Sequence, residues 1–599
     1  MCGIFGQVGP TSEETLSHNA ERALAALQSR GPNAKGTQRG KNWILAHRRL
    51  AIFDTSETGN QPMQGWGHTI VFNGAIYNFK VLRRELESSG YLFKSGTDTE
   101  VILAAYDKWG NDCFQRFNGM WALAILTEKS GKLILSRDRF GIKPLYYSLT
   151  EGLIFASEPK LVADTSTLRT EINLRVAAEF IEYGWQDHRQ QTLYSNVLQF
   201  PPGHYGEVEL AAPQLLNFHA YYSLQGAVDS LVVPESERVT IENVHNLIVD
   251  SVRLRSQSDV GRCVTLSGGI DSSSIVGILS QHLQGNPQVF SVLYPYTGID
   301  ETPYVSAVAD RYALDCVAVE PTYSEVMAGF LAAQKAQGQP LASFAVVAHH
   351  QLMQRISRCG QRVVLNGQGA DEIGAGYDKF YWPLLREQWK KNALSGGYLL
   401  SQILLRRKVD YGKALARGRA RFNLNRDEKL LGPQFSSIET AAFVRQPDAD
   451  VAQTSINLMQ GVGLPVLLRH EDRNSMAFGL ESRAPFLDHR LVEYIIALPS
   501  EWKLKNLIRK YIIREACKDV LPHLVYKRQR KLGFATPAVD WIERDRKIFL
   551  DAARAGVVQG YFTPTVVERC QSILSKRRRE HYGFVFRCFS WIKFVESER

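Results

Sequence analysis

The sequence predicts an α/β multidomain protein, with a strand-rich layered domain first and a parallel-sheet domain carrying helical additions second. Three observations carry this. The chain has 599 residues, more than one hydrophobic core accommodates. Residues 1–210 set short apolar runs between Gly, Asn and Asp turns, the pattern of strands in series. From about residue 240 the rhythm becomes strand, polar loop, helix, which predicts parallel strands joined by crossover helices.

In the first part, Trp43–Ala46, Thr69–Phe72, Trp121–Leu126 and Leu133–Ser136 are predicted strands. Apolar periodicity over residues 12–29, 78–89 and 99–109 predicts helices. Strands in series with few helices imply layered sheets closed by those helices. Phe200-Pro201-Pro202-Gly203-His204 reads as a rigid turn, and the residues after it to about 238 as polar and irregular. The expected domains are therefore 2–215 and 238–599.

In the second part, Arg262–Leu266 is a predicted strand, Ser267–Asp271 a polar loop and Ser272–Leu283 a helix. The unit recurs as Val289–Leu293 leading to Tyr304–Tyr312, and as Arg362–Leu365 leading into Gly367–Gly369. Repeated units of this kind place ligands at the carboxyl ends of the strands. Residues from about 380 to 440 are basic and read as a helical insertion.

Charge and cysteine usage exclude several classes. Eight cysteines form no CxxC pair, so neither a zinc ribbon nor a dithiol redox site is expected. They are also too sparse for a disulfide scaffold. The net charge of +10 and pI near 9.0 raise the question of nucleic acid. However, the clusters Lys390-Lys391, Arg406-Arg407-Lys408, Arg417 to Arg421 and Lys576 to Arg579 lack interleaved stacking aromatics. Solvated helix faces are the preferred reading, and no nucleic-acid partner is expected. No stretch approaches the roughly 18–20 apolar residues of a membrane span. The first residues lack the basic and apolar regions of a secretory signal. A cytoplasmic location without membrane attachment is expected.

Cys2 becomes the first residue once the initiator Met is removed, which puts a thiol and an α-amine on one residue. The amine, with an unperturbed pKa of about 7.7–8.0, then serves as the base the nucleophile needs. Alone, such a cysteine says little. The series Met1-Cys2-Gly3-Ile4-Phe5-Gly6, Arg30-Gly31-Pro32, His47-Arg48-Arg49-Leu50, Asn73-Gly74 and Thr97-Asp98-Thr99-Glu100 resembles the class II glutamine amidotransferase domain of the N-terminal-nucleophile hydrolases. That resemblance implies an αββα fold. It also implies that Cys2 attacks the side-chain amide of glutamine, forming a thioester and releasing ammonia. The Asn73 side chain and the Gly74 N–H would be the oxyanion donors, aimed by a tight Asn-Gly turn. Arg49 would pair with the glutamine α-carboxylate and Asp98 would hold its α-ammonium. Two positions depart from the family pattern. Ala75 stands where an acidic residue is usual, and Asn33 where Asp is usual, so Asp98 would carry the ammonium charge alone.

Leu266-Ser267-Gly268-Gly269-Ile270-Asp271-Ser272-Ser273 lies between a predicted strand and helix. Its small residues let backbone N–H groups approach an anion, and the helix start adds its dipole. The motif resembles the pyrophosphate loop of ATP pyrophosphatases. Downstream stand Asp300-Glu301, Asn366-Gly367-Gln368-Gly369-Ala370-Asp371-Glu372, Asp472-Arg473, Leu480 through Asp488, and Lys531-Leu532-Gly533-Phe534. In that order the chain resembles glutamine-hydrolysing asparagine synthetase from end to end, with about 380–440 matching worst. The resemblance implies ATP and Mg²⁺ as cofactors, with Asp271 and Asp371 holding the metal against the phosphates. Ser267, Gly268, Gly269, Ser272 and Ser273 would cradle pyrophosphate. Leu266, Val292, Asn366 and Gly367 would line the nucleotide pocket. Lys531 would neutralise charge on the departing pyrophosphate. Arg483, Asp488 and Asp472 are expected in structural ion pairs. Gln368 departs from the Glu often found there, and a neutral amide cannot act as a general base. Glu471 is an alternative proton acceptor.

The expected reaction is L-aspartate with L-glutamine and ATP giving L-asparagine, L-glutamate, AMP and diphosphate. Its partners are small molecules, and a homodimer is compatible with the resemblance. Three rivals stand beside it: the same chemistry on another carboxylate, a basic RNA-modifying ATP pyrophosphatase, and a non-catalytic relic.

Overall fold

The computed structural model describes residues 2–166, 170–407, 430–435, 449–530 and 532–598. Two six-stranded antiparallel sheets form the N-terminal part. The first runs in the order Leu198–Gln199, Tyr146–Ser148, Leu153–Ala156, Gly3–Val8, Trp43–Arg49, Ala34–Arg39. The second runs Asn217–Ala220, His204–Glu209, Lys132–Arg137, Gly119–Thr127, His68–Ile76, Met63–Gly65.

Strand alternation explains the layering. Ile4, Val8, Trp43 and Leu45 meet Val71, Ala122 and Ala124 of the second sheet. The intervening Phe5, Ile44 and Ala46 turn outward, beneath the helices Glu13–Ala26 and Pro159–Thr165. Ile70, Phe72, Trp121 and Leu123 likewise face the helices Phe79–Ser88 and Asp98–Trp109. Residues two apart share a face, and here both faces of each sheet are covered. The result is the expected αββα stack. Each fully buried Ile or Phe in it contributes about 1.5–3 kcal/mol.

The residues read as irregular after position 203 are partly ordered strand. His204–Glu209 and Asn217–Ala220 extend the second sheet past residue 215. Asn217–Ala220 is exposed throughout, so it lacks the apolar signature that marks a buried strand.

The second part is a five-stranded parallel sheet ordered Cys316–Val319, Gln288–Val292, Arg262–Thr265, Val363–Leu365, Glu481–Arg483. The helices Glu237–Arg255 and Ile270–Gln281 pack with it in one large core. Residues 381–407 form two helices, Tyr381–Lys391 and Ala393–Arg407, while residues 408–429 and 436–440 of the expected insertion lie outside the described residues. Arg417 to Arg421 lie outside the described residues. Lys390, Lys391 and Lys576 to Arg579 are solvent-exposed. Among the described residues one stretch, Val451–Met476, is long and apolar enough to cross a membrane. It is two helices, Val451–Gln460 and Leu464–Met476, and the second carries buried Arg469, Glu471, Asp472 and Arg473.

That second helix forms much of the junction between the two parts. Arg30 makes a bidentate contact with Asp472 at 2.8 and 3.2 Å. Arg473 pairs with Glu158 at 2.7 Å, and Arg469 with Asp187 at 2.5 Å. Nearby, Asp488 accepts from Arg255 at 2.8 Å and from Asn118 at 3.0 Å, and Arg483 pairs with Glu481 at 2.6 Å. Asp472, Asp488 and Arg483 thus take the structural roles expected of them.

Candidate active sites

The first site forms where the two N-terminal sheets meet. Cys2 immediately precedes the strand Gly3–Val8 and is buried. Its backbone N–H donates to Asn73 Oδ1 at 3.0 Å. Asn73 is fully buried, and among the described residues its Nδ2 has no hydrogen-bond partner. An unpaired buried donor costs about 1–3 kcal/mol, and here it is fixed beside the nucleophile. That is the disposition of a pre-organised oxyanion donor. Burial pushes the Cys2 thiol up, so it stays protonated at neutral pH and needs a base.

Asn73-Gly74 is not a turn. Both residues lie inside the strand His68–Ile76, opposite Ala122 and Trp121. The glycine serves close approach instead. A Cβ at Gly74 would stand 2.1 Å from the Met120 carbonyl oxygen and 2.8 Å from Trp121 Cα. Two-residue Asn-Gly hairpins are common enough to make the turn reading natural, but nine consecutive ladder partners override it.

Arg49, Gly74, Asp98 and Cys2 line one pocket. Arg49 is not poised for a bidentate carboxylate. Its Nη1 donates to Ser56 O at 2.5 Å and Asn60 Oδ1 at 3.0 Å, and its Nη2 to the Phe53 and Asp54 carbonyls. Pairing with a ligand requires exchanging some of these bonds. Asp98 opens the helix Asp98–Trp109 and accepts from the Ile76 N–H at 2.9 Å. Burial raises its carboxyl to about 7 despite that bond. Ala75 is buried and apolar, and supplies no second carboxylate.

Glu481 of the parallel sheet also lines this pocket, which sequence reasoning missed. Burial alone would raise its carboxyl, but neighbouring charge, above all Arg483, holds it near 2. Residues 2 and 481 are too far apart in sequence for any spacing rule to connect them.

The second site lies at the carboxyl ends of the parallel strands. Ser267–Gly269 links Arg262–Thr265 to the helix Ile270–Gln281. Gly268 has φ +64°, and a Cβ there would meet Tyr304 Cβ at 2.5 Å. Ser272 Oγ accepts from the Ser267 N–H at 3.1 Å, closing the loop on itself. Arg528 donates to the Gly268 carbonyl at 3.0 Å and pairs with Glu301 at 2.5 Å. Leu266 is buried, with its N–H on Phe290 O. Ser273 is fully buried in the helix, and Val292 ends the neighbouring strand. Gly367 packs on the loop, since a Cβ there would stand 2.7 Å from Asp271 Cβ. Asn366 donates to Ser482 Oγ at 2.7 Å.

Asp271 and Asp371 do converge, on a group the sequence did not reveal. Lys510 Nζ stands 2.6 Å from Asp271 Oδ2 and 2.7 Å from Asp371 Oδ1. Burial disfavours its charge, but the two carboxylates outweigh that and raise its pKa. Two carboxylates suit a hard cation that takes its remaining ligands from phosphate and water, whereas here they share the Lys510 ammonium, and among the described residues no cluster of three or more His, Cys, Asp or Glu converges. Lys531 lies outside the described residues.

An αββα domain with a cysteine beside a buried amide donor, joined to a parallel sheet with a Ser-Gly-Gly loop, is the architecture of a glutamine amidotransferase domain coupled to a synthetase domain. Sequence comparison agrees for both parts. Residues 1–222 match the glutamine amidotransferase domain family, and residues 243–582 match the asparagine synthase family. The chain belongs to the asparagine synthase family. It is 29% identical over 580 residues to asparagine synthetase [glutamine-hydrolyzing] 1 of Bacillus subtilis (strain 168), covering 91% of this chain and 88% of that one. It is 27% identical over 562 residues to asparagine synthetase [glutamine-hydrolyzing] 3 of the same organism, covering 88% and 86%. It is also 26% identical over 611 residues to amidase chry2 of Gibberella zeae, covering 90% of each.

Proposed function

We propose that the protein amidates a carboxylate in two coupled half-reactions. Cys2, freed at the N-terminus, attacks glutamine and releases ammonia, while Asn73 Nδ2 and the Gly74 N–H receive the oxyanion. In the second site the carboxylate becomes an acyl-adenylate, and ammonia displaces AMP to form the amide. Asp271 and Asp371 would hold Mg²⁺, which when bound screens phosphate charge. Ser267, Gly269, Ser272 and Ser273 cradle pyrophosphate, and a lysine at position 531 would neutralise charge on the leaving group. The observation that carries this reading is that buried Asn73 accepts from the Cys2 N–H and, among the described residues, leaves its Nδ2 donor unpaired beside Cys2, in a chain whose other part matches asparagine synthase.

L-Aspartate is the first acceptor to test, because relatives that match along most of the chain are named asparagine synthetases. A second reading, amidation of a different carboxylate, is favoured by Gln368 and by the equally extensive match to an amidase. AMP and pyrophosphate release screened across carboxylates, aspartate among them, separates the two. ADP in place of AMP would sink both. The reaction is placed in the cytoplasm, where ATP and glutamine are supplied.

A further inference from the structure

The junction between the two sites holds a carboxylate to which the half-reactions above give no task. Glu471, on the helix Leu464–Met476, is buried and accepts from Ser482 Oγ at 2.5 Å. Its other oxygen lies 3.3 Å from His349 Nε2, and the Gln368 side chain also hydrogen-bonds to it.

The direction of each bond is fixed by a chain of donors. Arg469, which can only donate, gives its Nη1 proton to Gln337 Oε1 at 2.7 Å. The Gln337 amide therefore presents Nε2 to Asn474 Oδ1 at 2.9 Å. Asn474 Nδ2 must then donate, which it does to Val346 O and to His349 Nδ1, both at 2.9 Å. With Nδ1 accepting, the imidazole carries its proton on Nε2 and gives it to Glu471. Asn366 donates to Ser482, which leaves the Ser482 hydroxyl proton for Glu471 as well. Every partner donates, so the carboxylate is held as an anion, and its pKa is lowered even though burial works against this.

Position matters as much as charge. Glu481 and Ser482 are neighbours on one strand, so their side chains leave on opposite faces. Glu481 lines the Cys2 pocket, and Ser482 bonds Glu471. Glu471 thus stands one strand's thickness from the wall behind which ammonia is released. Through Gln368 it touches the segment Asn366 to Gly369, in which Gly367 packs against Asp271 and Ser272 at the start of the helix Ile270–Gln281.

We propose that Glu471 is the proton acceptor for amide formation, with His349 as the positioning residue that fixes it. This rests on the amidation reading above. Ammonia attacks the acyl carbon of the adenylate, forming the C–N bond. The bond from that carbon to the phosphate oxygen breaks, and AMP leaves with the electron pair. One ammonia proton passes to Glu471, and the amide keeps two. The resulting carboxylic acid returns its proton to water when the products leave. The amide at position 368 orients the acceptor and does not itself take the proton.

The test separates adenylation from amide formation in the full-length enzyme. Acceptor-dependent ATP–pyrophosphate exchange should stay within about threefold of the parent in Glu471→Gln, while ammonia-dependent amide formation falls about 10²–10³-fold, the range of a lost general base. Hydroxylamine, whose adduct sheds its proton far more readily than that of ammonia, should recover most of the lost rate as hydroxamate. A merely structural defect would slow both nucleophiles alike. Glu471→Asp should lie between Gln and parent, and His349→Phe should show the same hydroxylamine recovery with a smaller loss. Amide formation within fivefold of parent in Glu471→Gln would overturn the proposal. So would joint loss of exchange and amide formation, or equal losses with the two nucleophiles. Absence of exchange in the parent with every carboxylate would overturn the amidation reading, and this proposal with it.

Discussion

At the scale of single residues, the glutaminase pocket rests on groups whose ordinary chemistry has been shifted by burial. The Cys2 thiol is pushed up, so on the proposed mechanism it relies on an α-amine exposed by removal of Met1 as its base. Cys2→Ala should abolish glutamine hydrolysis yet retain amide formation from ammonium salts, because the sites are separate. Glutamine-dependent turnover surviving in that variant would remove the nucleophile assignment. The same variant isolates Asp98. With its carboxyl raised by burial to about 7, Asp98 is mostly neutral below that pH and ionised above it. A glutamine ammonium binds the ionised form, so affinity should fall about tenfold per unit as pH drops below about 7. Titration calorimetry with the Cys2→Ala protein should show this slope, and adding Asp98→Asn should weaken binding and flatten the profile.

At the scale of elements, what was legible in the sequence was whatever is encoded locally. The strands Trp43–Arg49, Gly119–Thr127 and Arg262–Thr265 and the helix Asp98–Trp109 follow from periodicity, and the Ser-Gly-Gly loop follows from small residues between a strand and a helix. Asp271 and Asp371 were found as motif members. What was illegible is non-local. Lys510 joins them from 239 positions beyond Asp271, Glu481 reaches the Cys2 pocket from the other domain, and the strand Asn217–Ala220 shows no apolar face. Asn73-Gly74 was misjudged as a turn because the dipeptide is locally typical of one, while the cross-strand contact that requires glycine there is invisible in sequence. That contact gives a prediction. In Gly74→Ala the new methyl meets the Met120 carbonyl and the Trp121 backbone, neither of which can rotate away. Overpacking of this kind costs about 1–3 kcal/mol, so the midpoint of thermal unfolding should drop. Glutamine hydrolysis should be lost while ammonium-dependent synthesis persists below the new midpoint. An unchanged midpoint would mean that the strand is not packed as described.

At the scale of the whole molecule, the helix Leu464–Met476 divides its faces between two tasks. Arg469, Asp472 and Arg473, spaced three and four apart, share one side and grip Asp187, Arg30 and Glu158 of the glutaminase part. Glu471 leaves on another side, toward Ser482 and His349. Arg30 also donates to the Cys2 carbonyl at 3.3 Å, so Asp472 is one contact from the residue carrying the nucleophile and adjacent in sequence to Glu471. Asp472→Asn should therefore act on coupling. It keeps the shape but leaves Arg30 and Lys143, which stands 3.9 Å from Asp472, buried without that charge. Breaking a buried pair from one side costs about 3–5 kcal/mol, and the cost falls on the domain junction because both partners sit there. The expected result is a lower unfolding midpoint together with leakage. Glutamate formed per AMP formed should rise well above the ratio of the parent enzyme, because ammonia released at Cys2 escapes a loosened junction. Arg30→Lys keeps one charge but loses the bidentate geometry, and should show a milder form of the same leak. If both variants lose stability while glutamate and AMP stay in the parent ratio, the ion pair holds the domains together without guiding ammonia, and the transfer path lies elsewhere along the interface.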